Sequence, residues 1–166
     1  SEPASLPVRL GRSRIVTAVK NRMLSVATEL DVAAGADPVK GLVVRCDVRD
    51  GDRIVKSFEK PVSSGANLVT CSDTWPTAVF WDVGTPKLYT MTVSLVQDGR
   101  VMDESLPEPF GFREFDIRGR FFFLNDIKLN LVPCSYSVSE GNWNTMEAMR
   151  HWLKGARAAG YNFVYL

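Results

Sequence analysis

Residues 22–32 read Arg22-Met23-Leu24-Ser25-Val26-Ala27-Thr28-Glu29-Leu30-Asp31-Val32. The even positions are mostly apolar or β-branched and the odd ones mostly polar, the period-two pattern of a strand with one buried face. Leu42, Val44, Cys46 and Val48 repeat the alternation. Asp50-Gly51 then marks a tight hairpin, with Ile54 to Phe58 as the returning strand. Further on, the apolar run Ala66 to Cys71 is followed by Trp75-Pro76 and Val79-Phe80-Trp81. Leu88 to Val96 puts Tyr89, Met91, Val93 and Leu95 on one side, Asp98-Gly99 supplies a second hairpin turn before Arg100 to Asp103, and Gly111 to Arg118 closes the series. About seven strands with Gly, Pro and Asp between them and no helix predict a mainly β fold, an antiparallel sandwich of immunoglobulin-like size. Pattern alone leaves a closed barrel open as the alternative. The expected domain is residues 1–118.

The remainder follows a different pattern. Phe121-Phe122-Phe123-Leu124 and Ile127 to Val132 flank Asn125-Asp126, two residues that accept the left-handed backbone of a hairpin turn. A helix is predicted next, capped by Asn144 with Glu147 in the reciprocal capping-box position. Met146, Met149, Leu153 and Ala156 form its apolar face, Arg150, Lys154 and Arg157 point elsewhere, and Gly160 ends it in a left-handed turn. Asn162 to Leu166 begins another strand. Strand, helix and strand make one βαβ unit over residues 119–166, the kind that builds parallel sheets. One unit leaves an open sheet edge and an uncovered helix face, so it reads as the opening of a larger α/β domain and as a surface for self-association.

Composition narrows the partners. The chain has 166 residues, too few for a complete (β/α)8 barrel, which takes roughly 250. Its 20 basic and 19 acidic residues are scattered, so no basic stripe points to nucleic acid or an anionic membrane. No run approaches the ~18 apolar residues of a membrane span. Cys46, Cys71 and Cys134 lack metal-ligand spacing and read as buried or half-buried thiols. No cofactor and no metal is expected.

At the junction the residues resemble a known family. Trp81-Asp82-Val83-Gly84-Thr85-Pro86-Lys87-Leu88-Tyr89, then Gly111-Phe112-Arg113, then Phe123-Leu124-Asn125, then a strand and a helix ending in Ala159-Gly160-Tyr161-Asn162 look like glycoside hydrolase family 2. That family includes β-galactosidases, β-glucuronidases and β-mannosidases. The resemblance implies an immunoglobulin-like sandwich running into a catalytic (β/α)8 barrel, a carbohydrate substrate for the intact protein and a periplasmic or secreted setting. It also implies two glutamates, an acid/base and a nucleophile about 5–5.5 Å apart in retaining enzymes. In the family they follow the fourth and seventh barrel strands, beyond Leu166.

No catalytic residue is therefore expected within the chain. Glu104, Glu108, Glu114 and Glu140 read as surface carboxylates, and His151, two residues from Met149, turns about 200° away from the apolar face toward solvent. Trp75 and Trp81 could stack on a sugar, but a core or interface role fits them better. Where family members commonly carry Arg-Gly-x-Asn and then His, this chain has Val132-Pro133-Cys134-Ser135-Tyr136-Ser137. Active sites of such barrels lie at the C-terminal ends of the strands, which makes Cys134, Ser135 and Tyr136 the candidates for lining a substrate pocket in the intact protein. The reading is a noncatalytic positioning sandwich of a family 2-like glycosidase. The alternative is a self-contained carbohydrate-binding or adhesion module.

Overall fold

A computed structural model describes residues 7–33, 41–135 and 145–165. The chain divides into two compact units, Ser1–Glu114 and Phe115–Leu166.

The first unit is an antiparallel β-sandwich. One sheet has the order β1 (Val8–Ala18), β2 (Met23–Val32), β5 (Leu68–Thr74). The other runs β4 (Arg53–Pro61), β3 (Leu42–Asp50), β6 (Tyr89–Gln97), β7 (Arg100–Glu104), with β8 (Glu108–Phe110) also pairing β6. The alternation in β2 and β3 is realised residue by residue: Leu24, Val26, Thr28 and Leu30 are buried from one sheet, and Leu42, Val44, Cys46 and Val48 from the other. Central strand β6 is covered on both faces, since Thr92, Ser94 and Val96 are buried along with Tyr89, Met91, Val93 and Leu95. Ser94 meets that burial by donating its hydroxyl to Glu104 at 3.0 Å.

Both expected hairpins form with two-residue loops. Asp50 pairs Arg53 across Gly51-Asp52, and Gln97 pairs Arg100 across Asp98 and Gly99, both at positive φ. The long strand β1 was not apparent in the pattern because a bulge between Leu10 and Ser13 shifts its phase. Val8 faces inward before the bulge, and Ser13, Ile15 and Thr17 occupy the more covered positions after it. A single-parity search reads that as noise.

Val79-Phe80-Trp81 belongs to the connection between β5 and β6, which has no strand. One expected strand of the sandwich is corrected. The segment Gly111 to Arg118 is split: residues 111–114 are irregular, and only β9 (Phe115–Arg118) is a strand, paired with β10 (Phe121–Leu124) in the second unit.

That irregular stretch closes one end of the core. Phe112 is fully buried, stacks on Phe80 (centroids 5.4 Å apart) and meets Trp75 edge-on at 6.1 Å. Its carbonyl accepts the Trp81 N–H at 3.0 Å. Gly111 lies so close under the indole that a Cβ there would sit 2.9 Å from Trp81 Cβ, and the Arg113 guanidinium covers the Trp81 ring at 4.9 Å. Thr17 donates to the Arg113 carbonyl at 2.6 Å and the Val19 N–H donates to Glu114 at 2.9 Å, strapping the segment to β1. Tyr89 is buried against Trp75 at 4.7 Å, its hydroxyl accepting the Val79 N–H at 2.9 Å.

The second unit holds the sheet β11 (Ile127–Leu129), β10, β9 and a parallel pair, β12 (Pro133–Ser135) with β13 (Phe163–Tyr165), joined through α1 (Met146–Ala158). Asn125 and Asp126 take the positive φ values expected of the β10–β11 turn. The strand that enters the βαβ crossover is Pro133–Ser135, whereas the expected Ile127 to Val132 strand is shorter and pairs only in the hairpin. Thr145, next to the expected Asn144, caps the helix, its Oγ1 accepting the Ala148 N–H at 3.1 Å. Asn144 lies outside the described residues. Glu147 sits in the first turn, where its charge complements the helix dipole. At the other end Gly160 adopts φ 90°, its N–H bonding Arg157 O while the Tyr161 N–H bonds Ala156 O. Those two bonds form a Schellman cap, which needs the left-handed residue.

The helix face differs from expectation. Met146 and Leu153 are exposed, while Ala148, Met149, Trp152 and Ala156 are the partly covered positions. They recur with three- and four-residue spacing, so the covered stripe is rotated toward Trp152.

Two outcomes follow. Phe112→Ala removes the ring that packs against Phe80 and Trp75, and should lower the urea unfolding free energy by about 3–5 kcal/mol. Lys56 donates to Asp73, bridging β4 and β5, and holds that carboxyl below the usual carboxylate range. A depressed folded pKa stabilises above the unfolded value near 3.8 and loses that contribution as pH falls through the folded value. The pair is partly solvated, so Asp73→Asn should cost at most about 1 kcal/mol at pH 7, with the difference from wild type shrinking in melts as pH falls below 3.8.

Candidate functional site

Of the three pocket-lining candidates, the structure places Cys134 and Ser135 within β12, and Tyr136 lies outside the described residues. Cys134 pairs Val164 and Ser135 pairs Tyr165 in the parallel register. The two side chains alternate faces: Cys134 is half-buried, its thiol 3.7 Å from the Phe163 carbonyl, and Ser135 is exposed. Cys134 lines a depression of about 380 Å³ with Trp152, Ala156, Tyr161 and His151. The described candidates are thus separated, one under the helix and one on the open face. His151 is exposed, as its position on the helix predicted.

The residue that organises this unit is Asn162. Its Oδ1 accepts the Val132 N–H at 2.8 Å, its Nδ2 donates to the Asn130 carbonyl at 2.9 Å, and its own N–H donates to Val132 O at 3.2 Å. One amide therefore satisfies both directions of the backbone entering β12 and aligns it with β13. The role was not recognised from sequence. The available signal was a polar amide directly after the helix-ending Gly160-Tyr161, where an apolar strand would otherwise start.

A second depression, about 440 Å³, lies in the sandwich and is lined by Asp50, Arg53, Trp75, Thr77, Val79 and Tyr89. Lys87 donates to Asp50 at 2.6 Å and lies 5.1 Å from the Tyr89 ring centroid. Trp75 is only 5% exposed and Trp81 is half-buried beneath Arg113, so their rings build the core and its edge. The glutamates are structural too: Glu104 accepts from Ser94 and Glu114 from the Val19 backbone, while Glu108 is exposed on β8. Glu140 lies outside the described residues. Among the described residues no cluster of three or more His, Cys, Asp or Glu could hold a metal ion, and no helix is long and apolar enough to cross a membrane.

Asn162→Ala should destabilise the second unit by about 1–2 kcal/mol and speed hydrogen exchange at Val132, leaving the β2 and β6 amides unchanged. Asn162→Asp keeps the acceptor for Val132 and loses the donor to Asn130, so its effect should be intermediate.

The fold is shared with family 2 glycosidases. A family 2 member from Bacteroides cellulosilyticus superimposes with a TM-score of 0.68 at 18% identity, covering 95% of this chain and 22% of that one. A β-glucuronidase of Parabacteroides merdae gives 0.61 at 20% identity, covering 95% and 21%. A β-glucuronidase from Ruminococcus gnavus gives 0.63 at 17%, covering 94% and 25%. The chain thus spans about a fifth to a quarter of the length of these relatives. No curated protein sequence matches it. The sequence model for glycosyl hydrolases family 2 matches residues 12–113, the sandwich and its aromatic closure, and the chain belongs to that family.

Proposed function

We propose that this chain is the noncatalytic sandwich and the opening βαβ unit of a retaining family 2 glycosidase, with the sandwich acting as the spacer that positions the catalytic barrel. The observation that carries the reading is the parallel pairing of Pro133–Ser135 with Phe163–Tyr165 across one helix, directly after a sandwich matched by the family. Parallel strands joined through a helix are the repeating unit of a (β/α)8 barrel. The barrel would carry the two carboxylates, one attacking the anomeric carbon and the other protonating the leaving oxygen. Neither role falls to Glu104 or Glu114, whose carboxylates are committed to Ser94 and the backbone of Val19. Cys134 and Ser135, at the first barrel strand, would stand near the sugar site of the intact protein. Met146, Leu153, Phe163 and Tyr165, all exposed on the second unit, give the isolated chain an apolar surface through which two copies can associate.

The purified 166-residue chain should release no chromophore from nitrophenyl β-galactoside, β-glucuronide or β-mannoside above a mock preparation. Turnover by this polypeptide would overturn the proposal. The reading frame after Leu166 should encode strand–helix repeats and an Asn-Glu pair, and a stop codon there would overturn it equally.

A further inference from the structure

Two thiols face each other inside the sandwich. Cys46 is on β3 and Cys71 on β5, strands of opposite sheets, and both are buried, with 0% and 1% of their surfaces exposed. Packed sheets ordinarily lie about 10 Å apart, yet here β3 and β5 approach within 8 Å at their Cα atoms. The Cys71 thiol reaches across to the backbone of β3, donating at 3.5 Å to the carbonyl of Val44, which lies two residues from Cys46 on the same inward-facing row. Lys60 on β4 ties the same edge by donating to the Thr70 carbonyl at 3.1 Å.

We propose that Cys46 and Cys71 form an inter-sheet disulfide when the chain folds in an oxidising medium. Either thiol can lead while the sheets are still open, and Cys71 is taken first here. With a small-molecule disulfide as oxidant, the Cys71 thiolate attacks one sulfur, forming a mixed disulfide and expelling one thiolate. Cys46, after losing its proton, attacks the Cys71 sulfur, forming the Cys46–Cys71 bond and expelling the second thiolate. The two thiolates take up the two protons, so two protein thiols and one disulfide give one protein disulfide and two small thiols. Burial restricts the exchange to chains whose sheets have not yet closed, so the folding medium sets the state.

The test refolds the full chain from denaturant in a reduced/oxidised glutathione buffer and, in parallel, in a reducing buffer, followed by alkylation, intact mass measurement and nonreducing tryptic mapping. The oxidised product should be two hydrogens lighter, with peptide Cys46–Arg49 joined to Ser57–Lys87, Cys134 alkylated, and a melting midpoint higher by about 5 °C or more. Cys134→Ala should retain the cross-link and Cys71→Ala should lose it. Natively folded chain from the glutathione buffer with all three thiols alkylated would overturn the proposal. So would a cross-link through Cys134 in place of the pair. The wild-type map decides the question even where Cys71→Ala does not fold.

Discussion

Phe112 has no surface left in water, and its position fixes the residues around it. Burying a phenyl ring contributes about 1.5–3 kcal/mol, and stacking on Phe80 with the edge of Trp75 adds to it. The ring reaches its site only if the chain before it passes directly beneath Trp81, which leaves room for hydrogen alone at Gly111. The chain after it is held because the Arg113 guanidinium covers the indole and its carbonyl is bound by Thr17. The Gly-Phe-Arg triplet is thus one packing device with three parts: clearance, anchor and cover. It stands where the sandwich ends, so the direction in which the chain leaves β8 is set by aromatic packing and not by strand pairing.

What the sequence revealed follows from how local each constraint is. Strands β2 and β3 and the central β6 were legible because each presents an unbroken alternation, and the three hairpin turns because Gly51, Asp98-Gly99 and Asn125-Asp126 supply backbone conformations that few residues adopt. Strand β1 was hidden by a bulge that reverses its parity halfway. The segment Gly111 to Arg118 was read as one strand, yet Phe112 fills the end of the core from an irregular stretch and pairing begins only at Phe115. Burial and pairing must be established separately. The helix face was misread in a related way: Trp152 outweighs Met146 and Leu153 in bulk, and the stripe turns toward it.

The candidate pocket was less legible than the fold. Cys134 and Ser135 were expected just past the end of the strand Ile127 to Val132, but the parallel strand begins at Pro133, so the two residues lie within the ladder and on opposite faces. Asn162 escaped notice because its work is done on backbone atoms thirty residues away, and a side chain that bonds only main chain leaves no pattern in its neighbours. Such amide clamps become visible only when both strands are in place.

The motifs that carry the family resemblance prove to be scaffold devices. Tyr89 bonds the Val79 amide, Gly111-Phe112-Arg113 closes the core, Asn125 makes a turn, and Gly160 with Asn162 ends a helix and aligns a strand. None offers a free nucleophile or acid to a substrate. A sequence can therefore be assigned to this family from residues that hold the backbone in place, because the backbone problems they solve are narrow ones with few side-chain solutions. At Pro133-Cys134-Ser135, where the chain departs from the pattern of the resemblance, the strand is held by backbone pairing, which accepts many side chains, whereas the aromatic closure and the Asn162 clamp accept few.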